Sequence, residues 1–188
     1  MAISLEKKKP ISLTKAKPGL KRIVAGLGWD EVSVGGKAID CDVSVFMLGA
    51  NGKLPDDEFF VFYNNTRSPE GAVFHSGDSR TGAGDGDDES VEVDLGRIDS
   101  RVDFLYFTVT IHEAAERGHH FGYIMNSYIR LLNQDDGSVL AEFKLNEAFD
   151  GKDSLLIAMI SRNSGEWSVE ALGEAFSGGL ETLIGMYQ

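Results

Sequence analysis

The stretch that most limits the fold of this chain is residues 101–111, Arg-Val-Asp-Phe-Leu-Tyr-Phe-Thr-Val-Thr-Ile. In an extended backbone successive side chains point to opposite sides, and here both sides carry apolar and aromatic residues. A strand that has no polar side is buried on both faces. We therefore predict that residues 101–111 form a central strand in a sheet that is covered on both faces.

Shorter strand-like stretches recur along the chain, separated by turns rich in Gly and Asn. About eight to ten of them follow one another at roughly ten-residue spacing, which is typical of a β-sandwich. The predicted fold class is all-β: a β-sandwich of two mostly antiparallel sheets with a short C-terminal helix at residues 180–187, in a single domain over residues 1–188. Near the N-terminus, residues 3–5 and 11–13 are predicted to pair as short strands around a lysine-rich turn.

Residues 76–89, Ser-Gly-Asp-Ser-Arg-Thr-Gly-Ala-Gly-Asp-Gly-Asp-Asp-Glu, are strongly acidic, with Arg80 as the one basic residue. Their carboxylates belong to Asp78, Asp85, Asp87, Asp88 and Glu89. Two carboxylates about 4 Å apart repel each other by about 1 kcal/mol even in water, so a folded loop of this composition needs positive charge among them. Its glycines allow backbone conformations that turn several oxygens toward one point.

Calcium suits such a loop, because this hard cation takes about six to eight oxygen ligands, backbone carbonyls included, in flexible geometry. An EF-hand is excluded, since residues 78–89 depart from its loop pattern at Arg80, Gly82 and Ala83. The alternative interpretation is a solvated acidic loop whose like charges keep it disordered.

Further oxygen donors lie at the ends of predicted strands. Asp40 and Asp42 project from one side of a strand, and Asn64 and Asn65 follow another. Loops of a sandwich cluster at its two ends, so these residues meet the acidic loop if they lie at the same end. The candidate calcium ligands are Asp42, Asn64, Asn65, Asp78, Asp85, Asp87 and Glu89, with carbonyl groups near Gly82 and Gly84 and with Asp88 as a further option. Alternatively, the aspartates lie in water beside the core, and the asparagines only form turns.

Composition limits the partners of this chain. Its formal net charge is -12 and its isoelectric point is about 4.7, which argues against a nucleic-acid-binding basic face and against electrostatic attachment to an anionic membrane. The single cysteine, Cys41, allows no internal disulfide and is predicted to be a small core residue. Because the N-terminal residues show no signal peptide and no stretch is apolar enough to span a membrane, we expect a cytoplasmic protein.

Several motifs, taken together and in this order, resemble the TerD family of bacterial tellurite-resistance and stress-response proteins. The resemblance covers nearly the whole chain, and the acidic loop is its most specific part. The matching pieces are Gly-Leu-Gly-Trp-Asp at 26–30, Asp-Cys-Asp-Val-Ser-Val-Phe at 40–46, Phe-Val-Phe-Tyr-Asn-Asn at 60–65, the acidic loop at 77–89, Ile-His-Glu-Ala at 111–114, Phe-Gly at 121–122, Asn-Ser-Tyr-Ile-Arg at 126–130, Gly-Glu-Trp at 165–167 and Gly-Gly at 178–179.

The resemblance implies a β-sandwich that binds calcium, typically two ions, through the acidic loop and neighbouring strand ends. It also implies a role in tellurite, phage and other stress resistance, with other stress-resistance proteins as partners and without an established enzymatic activity. Two departures from the family pattern are Cys41, where leucine is usual, and Ser79, where asparagine is common. Neither removes a carboxylate.

Three alternatives remain open. Zinc chemistry is disfavoured, because the residue four after His112 is Glu116 rather than a second histidine, and the histidines are predicted to lie in exposed loops. We therefore expect no enzymatic activity. A metal-independent acidic scaffold that docks a basic partner is the second alternative, and magnesium-dependent binding of a nucleotide is the third. Dependence on a metal distinguishes the calcium and nucleotide hypotheses from the scaffold.

Overall fold

The structure is a computed structural model and describes residues 3–77, 87–124, 126–144 and 149–188. Strands dominate this part of the chain. In chain order they are β1 (Ile3–Ser4), β2 (Ile11–Ser12), β3 (Arg22–Gly28), β4 (Ser33–Val34), β5 (Lys37–Ala38), β6 (Cys41–Leu48), β7 (Phe60–Val61), β8 (Val73–His75), β9 (Glu89–Asp94), β10 (Phe104–Ile111), β11 (Tyr128–Asn133), β12 (Val139–Lys144), β13 (Ser154–Asn163) and β14 (Glu166–Phe176). The α-helices are α1 (Leu13–Ala16), α2 (Ala114–Arg117) and α3 (Gly179–Tyr187), and single 3-10 turns lie at Asp57–Phe59 and Phe121–Tyr123.

Two sheets face each other. Sheet A has the strand order β1-β12-β11-β3-β9-β8, and sheet B has the order β2-β14-β13-β10-β6-β7, while β4 and β5 form a separate small hairpin. The described pairings are antiparallel except that β1 runs parallel to β12. The predicted β-sandwich of two mostly antiparallel sheets is therefore confirmed.

The strand β10 lies inside sheet B, paired with β6 on one side and β13 on the other. Its residues Leu105, Phe107 and Val109 belong to the main core between the sheets. The prediction of a central strand is confirmed, although the strand begins at Phe104 rather than at residue 101.

The outer face of sheet B carries a second apolar cluster. Phe46 and Phe60 stack with their ring centroids 4.2 Å apart, and Leu183 of α3 is completely buried against this face. Helix α3 thus covers one side of the sheet, which explains why all eight residues of β6 are buried. The predicted C-terminal helix is confirmed.

An aspartate holds the start of α3. The backbone N–H groups of Gly178 and Gly179 donate to the two carboxylate oxygens of Asp153, over 3.1 and 3.0 Å. Burial works to raise the pKa of Asp153, but these two hydrogen bonds and one from the Ser154 hydroxyl outweigh burial and lower the pKa. A charged residue from the start of β13 therefore satisfies N–H groups at the helix N-terminus that have no partner within the helix.

Some sequence predictions about local structure were wrong. The strands β1 and β2 do not pair with each other, because β1 joins β12 in sheet A and β2 joins β14 in sheet B. The N-terminal segment thus bridges the two sheets. Helices α1 and α2 were not predicted, since four residues are too few to show helical periodicity. No helix in the described residues has both the length and the apolar character needed to cross a membrane.

The prediction of exposed histidines was also wrong for two of them. His75 is 1% exposed and His119 is 4% exposed. His75 is the last residue of β8 and points into the sandwich, where its ring is hydrogen-bonded to the carbonyl of Val43.

Candidate metal site at the acidic pole

Four carboxylates gather where β6 and β9 begin, and we call this cluster of Asp40, Asp42, Asp88 and Glu89 the acidic pole. The pKa of the Cys41 thiol is raised well above its usual range by burial and then by the charges of Asp42, Asp40, Glu89 and Asp88. Asp40 and Asp42 flank Cys41 in the chain, and Glu89 is bonded to Val43, two residues further along β6. The structure thus brings residues that are distant in sequence to the same end of the sandwich.

Asp40 and Asp42 are themselves mostly buried, with 8% and 5% of their surface exposed. Asp42 pairs with Thr110 of β10 in the strand register, and its Oδ2 lies 3.9 Å from Nδ1 of His112. A buried carboxylate is costly unless charge or hydrogen bonds compensate it. This end of β6 therefore holds two carboxylates that have little access to water.

Glu89 links the two sheets. Its side chain is fully buried, and its Oε2 accepts a hydrogen bond from the backbone N–H of Val43 over 2.7 Å. This part of β6 lies beyond the short strand β7, which pairs with β6 at Val45 and Phe46. A carboxylate from sheet A therefore occupies the position at which a neighbouring strand would otherwise bond Val43.

His75 adds a second link between the sheets, through the carbonyl group of Val43. Its Nδ1 accepts from the backbone N–H of Gly77 over 3.1 Å, so Nε2 carries the proton and donates to the carbonyl of Val43 over 3.0 Å. The Nε2 atom also lies 3.6 Å from Oε2 of Glu89. The end of β8 and the start of β9, which flank the acidic loop, are both fixed to β6 by these contacts.

Asp87 lies on the outer face of sheet A. Its Oδ1 accepts from Nε of Arg130 over 2.9 Å and from the Tyr128 hydroxyl over 3.1 Å. The carboxylate rests on Gly26, where an added Cβ would lie 2.0 Å from Oδ2. Burial, followed by the charge of Asp87 and its hydrogen bond, raises the pKa of Tyr128.

Asp88 is held by the strand next to it. The backbone N–H of Trp29 donates to its Oδ2 over 3.0 Å, and its own N–H donates to the carbonyl of Leu27 over 2.8 Å. Burial raises the pKa of Asp88; the Trp29 hydrogen bond opposes this, and the charge of Asp87 adds to it. The raised pKa of Asp88 thus reflects mainly the partial removal of its carboxylate from water.

A cavity of about 800 Å³ opens beside the acidic pole. It is lined by Asp40, Asp42 and Asn64 together with two cationic side chains, Lys37 and Arg117. Arg117 is ion-paired with Glu113, with Nη2 and Oε2 2.6 Å apart. Oxygen donors from the start of β6 and from Asn64 thus face one space.

The predicted ligands do not all lie together, and Asp87 is separate from the cavity, bonded to Arg130 on the outer face of sheet A. Asp42 and Asn64 share the cavity, and Asp88 and Glu89 join Asp42 around Cys41. Asn65 instead donates its side-chain amide to the carbonyls of Glu58 and Phe60 and so stabilises a turn. The predicted ligands Asp78, Gly82, Gly84 and Asp85 lie outside the described residues. Within the described ranges, no group of three or more His, Cys, Asp or Glu side chains has the arrangement of a metal site.

Sequence reasoning missed Gly26, Arg130 and His75 as parts of this region. Gly26 and Gly28 alternate along β3 on the face opposite the core residues Ala25 and Leu27. Glycines at alternate positions of a strand often mark close approach of other groups, and this signal was available in the sequence. Nothing in the local sequence connects Arg130 to Asp87, because strand pairing alone brings them together. His75 directly precedes the acidic loop, but its bond to Val43 depends on the packing of the two sheets.

The TerD domain family model matches residues 1–187. The chain belongs to the TerD family. Among its relatives is the tellurium resistance protein TerD of Serratia marcescens, which is 42% identical over 187 residues that cover 100% of this chain and 97% of that protein. The chain is 40% identical to general stress protein 16U of Bacillus subtilis (strain 168), with coverage of 100% and 97%.

A solved structure shares the fold of this TerD chain. It is that of SCO6318 from Streptomyces coelicolor A3(2), described as a homologue of telluride resistance protein (TerD). The TM-score is 0.71 at 23% identity, with coverage of 88% of this chain and 96% of that chain. The two proteins thus share the sandwich fold although most of their residues differ.

Proposed function

We propose that this protein is a calcium-binding module of a bacterial tellurite- and stress-resistance system. The observation that carries the proposal is the cavity that Asp40, Asp42 and Asn64 line together, with Glu89 of β9 bonded to the neighbouring part of β6. Carboxylate and amide oxygens are the donors that calcium prefers. The family membership adds the stress-resistance setting.

The ligand set that we propose combines Asp42, Asn64 and Asp88 with the acidic-loop residues Asp78 and Asp85, the carbonyls near Gly82 and Gly84, and the remaining candidates Asn65, Asp87 and Glu89. In this proposal about two calcium ions bind, the number that the family resemblance implies. A bound cation supplies positive charge that offsets the mutual repulsion of these carboxylates. Glu89 and His75 fix both flanks of the loop to β6. In this proposal calcium therefore orders a loop whose two ends are already held in place.

The consequence of binding that we propose is assembly rather than catalysis. An ordered acidic pole presents a defined surface to other stress-resistance proteins in the cytoplasm. Direct reduction of tellurite is disfavoured, because the thiolate is the reactive form of cysteine and burial raises the pKa of the Cys41 thiol. Incubating the protein with tellurite and a thiol tests this point, and protein-dependent reduction would contradict a non-enzymatic role.

Calorimetric titration of calcium into chelator-stripped protein, repeated with magnesium, tests the central proposal. We expect calcium to bind more tightly than magnesium, since a flexible site with many oxygens suits the larger ion. Asp42→Asn should weaken calcium binding, whereas Asp136→Asn, which changes an exposed aspartate in the β11–β12 hairpin, should leave it unchanged. If neither ion binds, calcium is not the ligand of this pole.

A metal-independent scaffold is the second candidate, and the Arg130–Asp87 ion pair favours it. This pair already compensates one carboxylate of the loop without a metal. A scaffold should capture a basic partner equally well with and without chelator, whereas the calcium proposal requires loss of the partner in chelator. A pull-down of stress-resistance proteins under both conditions separates the two.

A further inference from the structure

Two arginines on the outer face of sheet A differ from the other described arginines. Arg22, Arg101, Arg117 and Arg130 are each paired with a carboxylate, and Arg162 donates to backbone carbonyls of the loop before β10. Within the described residues, the guanidinium groups of Arg67 and Arg97 have no carboxylate at ion-pair distance. In a chain with 30 acidic and 18 basic residues, two arginines that form no ion pair with any described carboxylate are unexpected.

The two guanidinium groups face the same point. A Cβ built on Gly71, which has a φ of +68°, would lie 3.5 Å from Nη1 of Arg67 and 3.6 Å from Nη2 of Arg97. Arg67 is stacked over the Phe74 ring at 5.1 Å, and Arg97 donates to the carbonyl of Glu70 over 2.8 Å. Their positions are thus fixed by an aromatic ring and a backbone carbonyl, and most of their N–H groups remain available.

A cavity of about 350 Å³ lies between these arginines and the sheet. Its wall also contains Arg22, which is paired with Asp135, and the carboxylates of Glu92 and Asp94. Glu92 accepts from the side-chain amide of Gln134 over 2.7 Å, and Asp94 accepts from the backbone N–H of Gly96 over 3.1 Å. These contacts hold the two carboxylates while leaving lone pairs available to hydroxyl donors.

We propose that this pocket binds a small phosphomonoester whose sugar-like hydroxyl groups face Glu92 and Asp94. The charge of a phosphomonoester, about −1.5 to −2 near neutral pH, suits two guanidinium groups that have no carboxylate at ion-pair distance among the described residues. Guanidinium groups bind phosphate through paired N–H donors, and the volume of the cavity, about 350 Å³, suits a small ligand. The pocket shares no residue with the acidic pole, so its binding does not depend on calcium.

Ribose 5-phosphate is the probe that tests this site, with ribose and inorganic phosphate as comparisons. In ¹⁵N-labelled full-length protein, the side-chain Nε–Hε signals of Arg67 and Arg97 should shift saturably with ribose 5-phosphate. Inorganic phosphate should produce weaker binding, because it lacks the hydroxyl groups, and ribose should produce none. The same titration in chelator should give the same affinity.

Matched variants show whether the two arginines carry the binding. Arg67→Gln and Arg97→Gln should each weaken it by about ten-fold or more, the usual effect of losing hydrogen bonds to a charged group. Arg101→Gln is the control, because Arg101 is held by Asp99 and Asp56 away from this pocket. The absence of a saturable shift in the wild-type protein, or equal weakening by Arg101→Gln, would overturn the proposal.

Discussion

The carboxylate of Asp87 rests directly on the backbone of Gly26, beside Arg130 of the adjacent strand, which binds the same carboxylate through its Nε atom. Gly26 has Ser90 as its partner in β9 and Arg130 as its partner in β11. The end of the acidic loop is thus seated over β3, in space that exists only because residue 26 has no side chain.

Gly26→Ala should therefore disturb the loop. The added Cβ would lie 2.0 Å from Oδ2 of Asp87, so the carboxylate must move and weaken its bond to Arg130. We expect a loss of about 1–3 kcal/mol in the free energy of unfolding, measured by urea denaturation. The control is Gly185→Ala in α3, where no atom lies near the new Cβ and higher helix propensity predicts equal or greater stability. Equal effects of the two substitutions would contradict this account.

Asp87 and Arg130 should be energetically coupled. Their side chains are 14% and 30% exposed, so we expect a double-mutant cycle of Asp87→Asn and Arg130→Gln to give a coupling energy of about 1 kcal/mol. Calcium titration adds a second readout, in which Asp87→Ala should lose substantial affinity. An unchanged calcium isotherm in Asp87→Ala would remove Asp87 from the ligand set and leave it with a positioning role.

Glu89 should stabilise the sandwich even without a metal. Glu89→Ala leaves the buried N–H of Val43 without its acceptor, which we expect to cost about 2–4 kcal/mol when the lost packing is included. Glu89→Gln retains a carbonyl oxygen and should cost less. Chemical denaturation in chelator measures both variants, and equal losses would show that the negative charge, not the hydrogen bond, matters.

The attachment of α3 should weaken in acid. Hydrogen bonds outweigh burial and lower the folded-state pKa of Asp153 below its ordinary value. Its contribution to stability is therefore complete above the unfolded pKa, near 3.9, and disappears as the pH falls through the lower folded value. Denaturant midpoints measured between about pH 6 and pH 2 should fall more steeply in the wild type than in Asp153→Asn. Parallel pH profiles would rule out this role.

Cys41 should be unreactive in the folded protein. Burial and four neighbouring carboxylates raise the pKa of its thiol, so very little reactive thiolate is present at neutral pH. A disulfide reagent such as Ellman's reagent should label Cys41 slowly under native conditions and rapidly in denaturant. Rapid native labelling would contradict both the burial of Cys41 and its unsuitability for redox chemistry.

Most of the architecture was predictable from the sequence by itself. The strand β10 has apolar residues on both faces, which requires a covered position, and the alternation of β6 predicted that Cys41, Val43 and Met47 share the core face. The family motifs and the excess of negative charge were equally local features. These properties depend on side-chain polarity and short-range periodicity, which remain the same whatever the strand order.

Only the tertiary structure decided which residues the acidic side chains contact. Strand pairing places Gly26 beside Arg130 and Ser90, and sheet packing brings Glu89 and His75 to Val43. Similarly, β1 and β2 separate into different sheets although they are close in sequence. Contacts between residues distant in the chain depend on sheet order and register, and no local pattern of polarity specifies which carboxylate meets which partner.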